Sequence, residues 1–265
     1  ESVGIESALP DAELLAGHLL GLSRGGVQAQ ILIGGKVSAD QAKQITDLFG
    51  RRLAREPLQH ITGIGYFRNL ELEVGPGVLV PRPESELLVE SVLKYIDGKD
   101  GDVSVVDLGS GSGALALAIA TEAPQSKVIA VEKSAEALEW LKKNVAAISE
   151  DVRIIHGDAA DALDGVKCDV VIANPPYIPD AQALPRDVAE HEPAQALFGG
   201  ADGMDIPRLF IAAASRLLKS GGFFAIEHHE EQGLDIAAVL LENFSDLELH
   251  NDFTSRPRFT TARRK

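Results

Sequence analysis

The sequence predicts an α/β protein in which a parallel sheet is covered by helices on both faces, and three observations carry that prediction. From about residue 84 onward, short runs rich in Val, Ile and Ala alternate with segments of helical period. At the carboxyl end of the first of these runs stands a glycine-rich stretch, Asp107-Leu108-Gly109-Ser110-Gly111-Ser112-Gly113-Ala114. The residues before the alternation read as helices instead. The expected organisation is a helical domain over residues 1–60, a β-hairpin linker over 61–83 and an α/β domain over 84–265.

In the helical part, Pro10-Asp11 opens a segment that carries Leu14, Leu15, His18, Leu19 and Leu22 on one apolar stripe, which makes His18 a packed or boundary residue. Ser38-Ala39-Asp40-Gln41 matches a capping box, in which serine and glutamine satisfy each other's backbone donors. Ala42, Ile45, Leu48, Phe49 and Leu53 follow at helical spacing. The period then drops to two: Leu70, Leu72 and Val74 share a face opposite Asn69, Glu71 and Glu73, as in a half-buried strand. Gly75-Pro76-Gly77 ends it. Pro81-Arg82-Pro83-Glu84 restarts a helix, with proline suited to its first turn. Strands are expected over 103–108, 127–131, 152–155, 169–173 and 223–226, with helices around Ala114, Ala137, Leu209 and Ala237. Ligands on such a sheet bind outside the carboxyl ends of the strands.

Composition narrows the function classes. A chain of 265 residues, 45% hydrophobic, can build a sizeable core. Its apolar runs fall far short of the roughly 18 residues that span a bilayer, and no segment has the order of a signal peptide. A net charge of −15 disfavours gripping a phosphate backbone, so no direct nucleic-acid binding is expected. The basic clusters Arg51, Arg52, Arg55 and Arg256, Arg258, Arg263, Arg264, Lys265 read as a solvated helix face and an exposed terminus. A single cysteine, Cys168, excludes a disulfide framework and a multi-cysteine metal site; it reads as packing and points to the cytoplasm. His228-His229, flanked by Glu227, Glu230 and Glu231, is spaced too tightly for most coordination geometries, so no metal is expected. Because the chain begins with Glu1, further residues are expected upstream.

The glycine loop lets the backbone turn sharply and approach a small ligand closely, ahead of a helix with unpaired N–H groups. Gly109, Gly111 and Ala114 also satisfy the relaxed dinucleotide pattern, which keeps a nicotinamide-dependent oxidoreductase as an alternative. Glu132, at the end of the next strand, can take a ribose diol in either case. Asp107 separates the two, because a carboxylate there opposes a pyrophosphate and suits a ligand with an amino group. At this point the chain resembles the class I, seven-stranded, Rossmann-like methyltransferases, which implies S-adenosylmethionine held by Asp107, Gly109, Ser110, Gly111, Gly113 and Glu132.

The strand over 169–173 stops at Asn174-Pro175-Pro176-Tyr177. A planar NH₂ acceptor has its lone pair delocalised, and a site that methylates it must hold the group through hydrogen-bond acceptors. Asn174 offers a side-chain carbonyl, Pro175 a backbone carbonyl with no competing N–H, and the two prolines keep the turn rigid. Tyr177 can stack on a planar amide or base. Asn-Pro-Pro-Tyr is similar to the motif of methyltransferases acting on glutamine side chains or on exocyclic adenine nitrogens.

Arg55-Glu56-Pro57-Leu58-Gln59-His60-Ile61-Thr62-Gly63, Gly65-Tyr66-Phe67, the run from Val80-Pro81-Arg82-Pro83-Glu84 to Glu90, and Arg256-Pro257-Arg258-Phe259 complete the pattern. With them, nearly the whole chain resembles the HemK or PrmC family, protein-glutamine methyltransferases acting on peptide chain release factors. The resemblance implies the Gly-Gly-Gln glutamine of class I release factors as acceptor and a helical domain that helps to hold them. It places Asn174, Pro175, Pro176 and Tyr177 on the amide, Asn174 beside the cofactor as well, Asp158 at the cofactor's edge, and Arg82, Pro83 and Glu86 in the linker motif that closes the site. Glu132 replaces a more usual aspartate, Ala159 a tryptophan of some members, and Ser255 a common glycine. A ribosomal-protein glutamine and an adenine amino group remain alternative acceptors.

Overall fold

The computed structural model describes residues 4–265. The chain divides into two compact units, Glu1–Ile64 with Leu184–His191, and Gly65–Ala183 with Glu192–Lys265.

The first unit contains α1 (Ala8–Leu20), α2 (Arg24–Leu32), α3 (Ala39–Leu53) and α4 (Leu58–Thr62). The capping box forms: Ser38 Oγ accepts from Gln41 N and Gln41 Oε1 from Ser38 N. On α1 the inward positions are Asp11, Glu13, Leu15 and Gly17, and His18 is exposed rather than packed. Apolar periodicity misplaces that face because its carboxylates are buried against partners: Asp11 accepts from Arg52 Nε at 2.7 Å, and Glu13 from Arg24 at 2.6 Å and Gln28 at 3.0 Å. Arg52 and Arg55 are therefore structural, whereas Arg51 is exposed as expected of a solvated face. Arg52 also reaches Asp187 at 3.0 Å, and Arg55 pairs with the same carboxylate.

The hairpin strands β1 (Ile64–Phe67) and β2 (Leu70–Glu73) form a two-stranded sheet. Beyond them run α5 (Ser85–Asp97), β3 (Val103–Leu108), α6 (Ala114–Glu122), β4 (Ser126–Glu132), α7 (Ala135–Ile148), β5 (Arg153–His156) and β6 (Cys168–Ala173). After a one-turn α8 (Arg186–Ala189) come α9 (Asp205–Leu217), β7 (Leu218–Glu227), α10 (Gly233–Leu240), β8 (Phe244–Asn251) and β9 (Pro257–Arg264). The main sheet has seven strands in the order β5-β4-β3-β6-β7-β9-β8. β5 to β7 are parallel, and β9 is antiparallel to both its neighbours.

Alternation along β3 builds a core on each face. Val103 and Val105 pack with α5, α6 and α7, while Val106 and Leu108 pack with α9 and α10. Cys168 is buried in the second core, and burial pushes its thiol up to about 12, as befits an inert packing residue. The expected strands are present, but the sequence reading passed over β8 and β9. β8 is an edge strand alternating with charged residues, and β9 opens on proline and ends in two arginines. Those arginines are anchored rather than free: Arg263 lies over the Tyr95 ring at 4.3 Å, and Arg264 donates to Ser215 O at 2.9 Å and Asn243 O at 2.8 Å.

The segment after β6 is pinned to residues 197–200. Ile178 N donates to Leu197 O, Gly199 N to Ile178 O and Asp180 N to Gly200 O. A Cβ on Gly199 would lie 2.5 Å from Gly203 O and 2.6 Å from Pro176 O, both backbone atoms that cannot yield locally. Gly199→Ala is therefore expected to cost about 2 kcal/mol of stability by urea unfolding. Gly25→Ala, within α2 where a Cβ meets nothing within 4 Å, is the control, expected to lose no stability.

Candidate active site

The carboxyl ends of β3, β4 and β6 open on a cavity of about 260 Å³. Its wall includes Gly109, Ser110 and Gly111 of the glycine loop, Glu132, Asp158, Asn174, Pro176 and Arg82. Parallel pairing places these residues together: Leu108 stands opposite Val131 on one side and Ala173 on the other, so the three strands end level.

Gly109, Gly111 and Gly113 all take positive φ, at 71°, 55° and 88°. Added Cβ atoms would meet the Phe210 ring at 3.2 Å from Gly109 and Leu141 at 2.7 Å from Gly113, whereas at Gly111 the nearest atom is 3.9 Å away. At the outer two a side chain would press on its neighbours as well as strain the backbone, whereas at Gly111 the positive φ alone favours glycine. Glu132 tethers the loop. Its Oε2 accepts from Gly111 N at 2.8 Å and its Oε1 from Ser134 N at 2.7 Å, and each oxygen keeps a further lone pair.

Asp107 lies beneath the loop, fully buried and off the wall. Neither carboxylate oxygen has a hydrogen bond of good geometry, although the Ser110 hydroxyl and the Ala116 N–H lie near enough to favour the charged form, and the Ser110 hydroxyl donates to Asp107's backbone carbonyl at 3.1 Å. Burial, with the Glu132 charge adding to it, pushes the Asp107 carboxyl up to about 7. An orphaned buried carboxylate under a glycine loop fits a ligand bearing an amino group, and Glu132's spare acceptors fit a diol.

At the end of β6, Asn174 Nδ2 donates to Ser85 Oγ at 3.1 Å, and Ser85 Oγ donates to Glu227 Oε2 at 2.5 Å. Tyr177 Oη donates to the other oxygen of Glu227 at 3.1 Å. That bond holds the Tyr177 hydroxyl behind the wall, away from the cavity where stacking was expected. Pro175 is buried behind the wall too, and its carbonyl takes no backbone hydrogen bond among the described residues. Arg82 forms a two-pronged pair with the buried Glu192 at 2.7 and 2.8 Å. Pro83 is exposed off the wall, and Glu86 is spent on the hairpin, accepting from Arg68 N at 2.9 Å. Asp158 is exposed at the rim, where Oδ1 accepts from Ala160 N at 3.0 Å.

Sequence reasoning missed several wall residues: Phe210, Pro193, Gln195 and Phe198. Neither Phe210 nor the segment over 193–198 had a local signal, since the first is set by its approach to Gly109 and the second by the pinning of residues 178–180. Among the described residues no group of three or more His, Cys, Asp or Glu side chains could hold a metal ion, and no helix is long and apolar enough to cross a membrane.

Comparison with known proteins now bears on this geometry. The family model described as "Methyltransferase small domain" matches residues 83–196, and "PrmC N-terminal domain" matches residues 1–63. The release factor glutamine methyltransferase of Streptomyces coelicolor is 43% identical over 98% of this chain and 92% of its own length. That of Mycolicibacterium smegmatis is 42% identical over 99% and 93%. This chain belongs to the release factor glutamine methyltransferase family. Among solved structures, the 16S rRNA N2 G1207 methyltransferase of T. Thermophilus, in complex with AdoMet and guanosine, is similar in fold. Its TM-score is 0.57 at 22% identity, over 76% of this chain and 50% of that one. A methyltransferase from Pyrococcus furiosus gives 0.56 at 19% identity, over 84% and 98%. The release factor glutamine methyltransferase fold is thus a seven-stranded methyltransferase fold with a PrmC-type amino-terminal domain, and its cofactor is S-adenosylmethionine. The nicotinamide-dependent alternative is left without support.

Proposed function

We propose that this methyltransferase modifies the side-chain amide nitrogen of the glutamine in the Gly-Gly-Gln motif of class I peptide chain release factors. The observation that carries the reading is the Asn174 side chain on the cavity wall at the end of β6, beside a loop suited to the cofactor, with the unbonded Pro175 carbonyl next to it in the chain. When bound, S-adenosylmethionine supplies a methyl group made electrophilic by its sulfonium. The buried Asp107 charge would attract the amino group through the loop, the Gly109–Gly113 loop would cradle the methionine part, and Glu132 would take the ribose hydroxyls while holding Gly111 in place. Asp158 lies at the adenine end. Asn174 and Pro175 each accept one N–H of the glutamine amide. That pairing holds the NH₂ group in place, raises the electron density on its nitrogen and spreads the positive charge that develops there during transfer. Pro176 and Tyr177 keep the turn rigid, and Arg82, locked to Glu192, shapes the mouth with Pro83 and Glu86 behind it.

The net charge of −15 favours a protein acceptor over nucleic acid. In the first unit, Ile31, Leu32 and Ile33 are 66, 86 and 76% exposed, an apolar surface available to a protein partner. The test is transfer of labelled methyl from S-adenosylmethionine to a purified release factor, with Gln→Ala in its Gly-Gly-Gln loop as control. Label on the unaltered loop alone is expected; label that survives the control sends the search to other acceptors. Glu132→Ala should raise the cofactor's Kd by about tenfold or more, since it removes both the diol acceptor and the tether of Gly111. An unchanged Kd in calorimetry overturns the ribose role.

A further inference from the structure

The polarity of the hydrogen bonds behind Asn174 can be read from their far end. Glu227 is 1% exposed on β7, and its carboxylate accepts from Ser85 at one oxygen and Tyr177 at the other. A carboxylate has no proton to give, so the Ser85 hydroxyl must spend its hydrogen on Glu227. Ser85, itself 3% exposed, can then only accept from Asn174. The Asn174 amide is forced to turn its NH₂ toward Ser85 and its carbonyl oxygen away, to the cavity that Asn174 lines.

We infer that Glu227, acting through Ser85, is a positioning residue that fixes the Asn174 amide with its carbonyl oxygen toward the acceptor substrate. Without that constraint the two ends of an Asn amide are nearly interchangeable in shape, and the reversed orientation would offer donors to an NH₂ group that needs acceptors. The inference rests on the reading that Asn174 accepts from the glutamine amide. It extends that reading to Ser85 on α5, which lines the cavity beside Asn174, and to Glu227 on β7, which lies behind the wall.

Arg258 strengthens the constraint. Its guanidinium stands beside Tyr177 and Glu227 and is held by Asp252 at 3.2 Å. A tyrosine oxygen facing a guanidinium must send its own proton the other way, to Glu227. Burial, with the Glu84 charge adding to it, holds the Glu227 carboxyl above the usual carboxylate range, while the Ser85 and Tyr177 hydroxyls and the Arg258 charge work against that and favour the form in which both oxygens accept.

Glu227→Gln is the discriminating substitution because shape is kept while one acceptor becomes a donor. Tyr177 claims the remaining carbonyl oxygen, so the new NH₂ faces Ser85, whose hydrogen is released toward Asn174. The expected result is a fall in kcat of about 10- to 100-fold, with the cofactor's Kd and the KM for the release factor changed by less than about twofold. In an Asn174→Ala background the same substitution should cost almost nothing further, because the group it positions is gone. An equal loss in both backgrounds, or unchanged kcat in the single variant, overturns the inference.

A readout without substrate covers the case in which Glu227→Gln folds poorly or the acceptor is another molecule. Hydrogen exchange of the Asn174 side-chain NH₂, followed by NMR, should be slow in the unaltered protein and faster by about tenfold or more in Ser85→Ala and Glu227→Gln. Unchanged exchange in Ser85→Ala refutes the orientation. Failure of the unaltered protein to label the Gly-Gly-Gln loop, with exchange behaving as stated, removes the substrate reading and leaves the positioning role standing.

Discussion

Asn174→Ala is expected to lower kcat for methyl transfer by about 100-fold or more, on the order of 3 kcal/mol, while the cofactor still binds. The size follows from what the side chain supplies. Its carbonyl oxygen is one of two acceptors proposed for the glutamine NH₂, and its orientation is already fixed through Ser85 and Glu227, so its alignment costs nothing at the moment of reaction. Removing it leaves one substrate N–H pointing at an apolar methyl. The loss belongs in kcat rather than KM, because the contact matters most when the nitrogen gains positive character. Single-turnover transfer with calorimetric cofactor titration checks both halves. Near-normal turnover would remove Asn174 from the proposed mechanism.

Asp107→Asn is expected to separate stability from binding. The ionised carboxylate is fully buried with no hydrogen bond of good geometry on either oxygen, and moving it from 3.8 to about 7 corresponds to about 4 kcal/mol of cost for the charged form. The folded pKa lies above the unfolded one, so this group's contribution to stability is intact below pH 3.8 and is lost as pH rises through about 7. Asparagine escapes that loss but brings an amide that also lacks partners, so the gain for the cofactor-free protein at pH 8 is on the order of 2 kcal/mol. It should shrink toward nothing near pH 4. Cofactor affinity should move the other way, falling about tenfold or more at pH 8 as the charge that attracts the amino group disappears. The unaltered protein should itself bind more weakly below pH 7. Melting curves at both pH values, with calorimetry across the range, test the pair of effects; a pH-independent difference in melting would refute the account.

Local pattern carried much of this fold. β3 and β6 are recognisable as short apolar runs because both faces are buried, and a run of that kind ends abruptly where the sheet ends and the site begins. The glycine loop and Asn174 are legible for that reason. β8 and β9 escaped notice because their partners decide them: β8 shows solvent one side and pairs with β9, whose arginines look like a free tail until Tyr95, Ser215 and Asn243 are seen around them. The face of α1 was misassigned because carboxylates occupy its inner positions, and no local pattern announces that Arg24 and Arg52 meet them. Ser255 shows the converse. Where relatives commonly have glycine, it takes φ of 66°, and resemblance flags a strained position that composition does not. Glu227 was visible only as a neighbour of two histidines, since its bond to Ser85 spans 142 positions.

The order of the last strands has a consequence for how the protein is made. β9 is synthesised after β8 yet lies between β7 and β8, so β8 has no place in the sheet until residues 257–264 have left the ribosome. Through that interval the flank of β7, with Phe223 to Ile226, is a bare sheet edge of the kind that recruits foreign strands. Arg258 belongs to the same late strand, so the charge that supports Glu227 arrives with it. Protection from aggregation and competence to orient Asn174 are therefore acquired together, when β9 docks between β7 and β8.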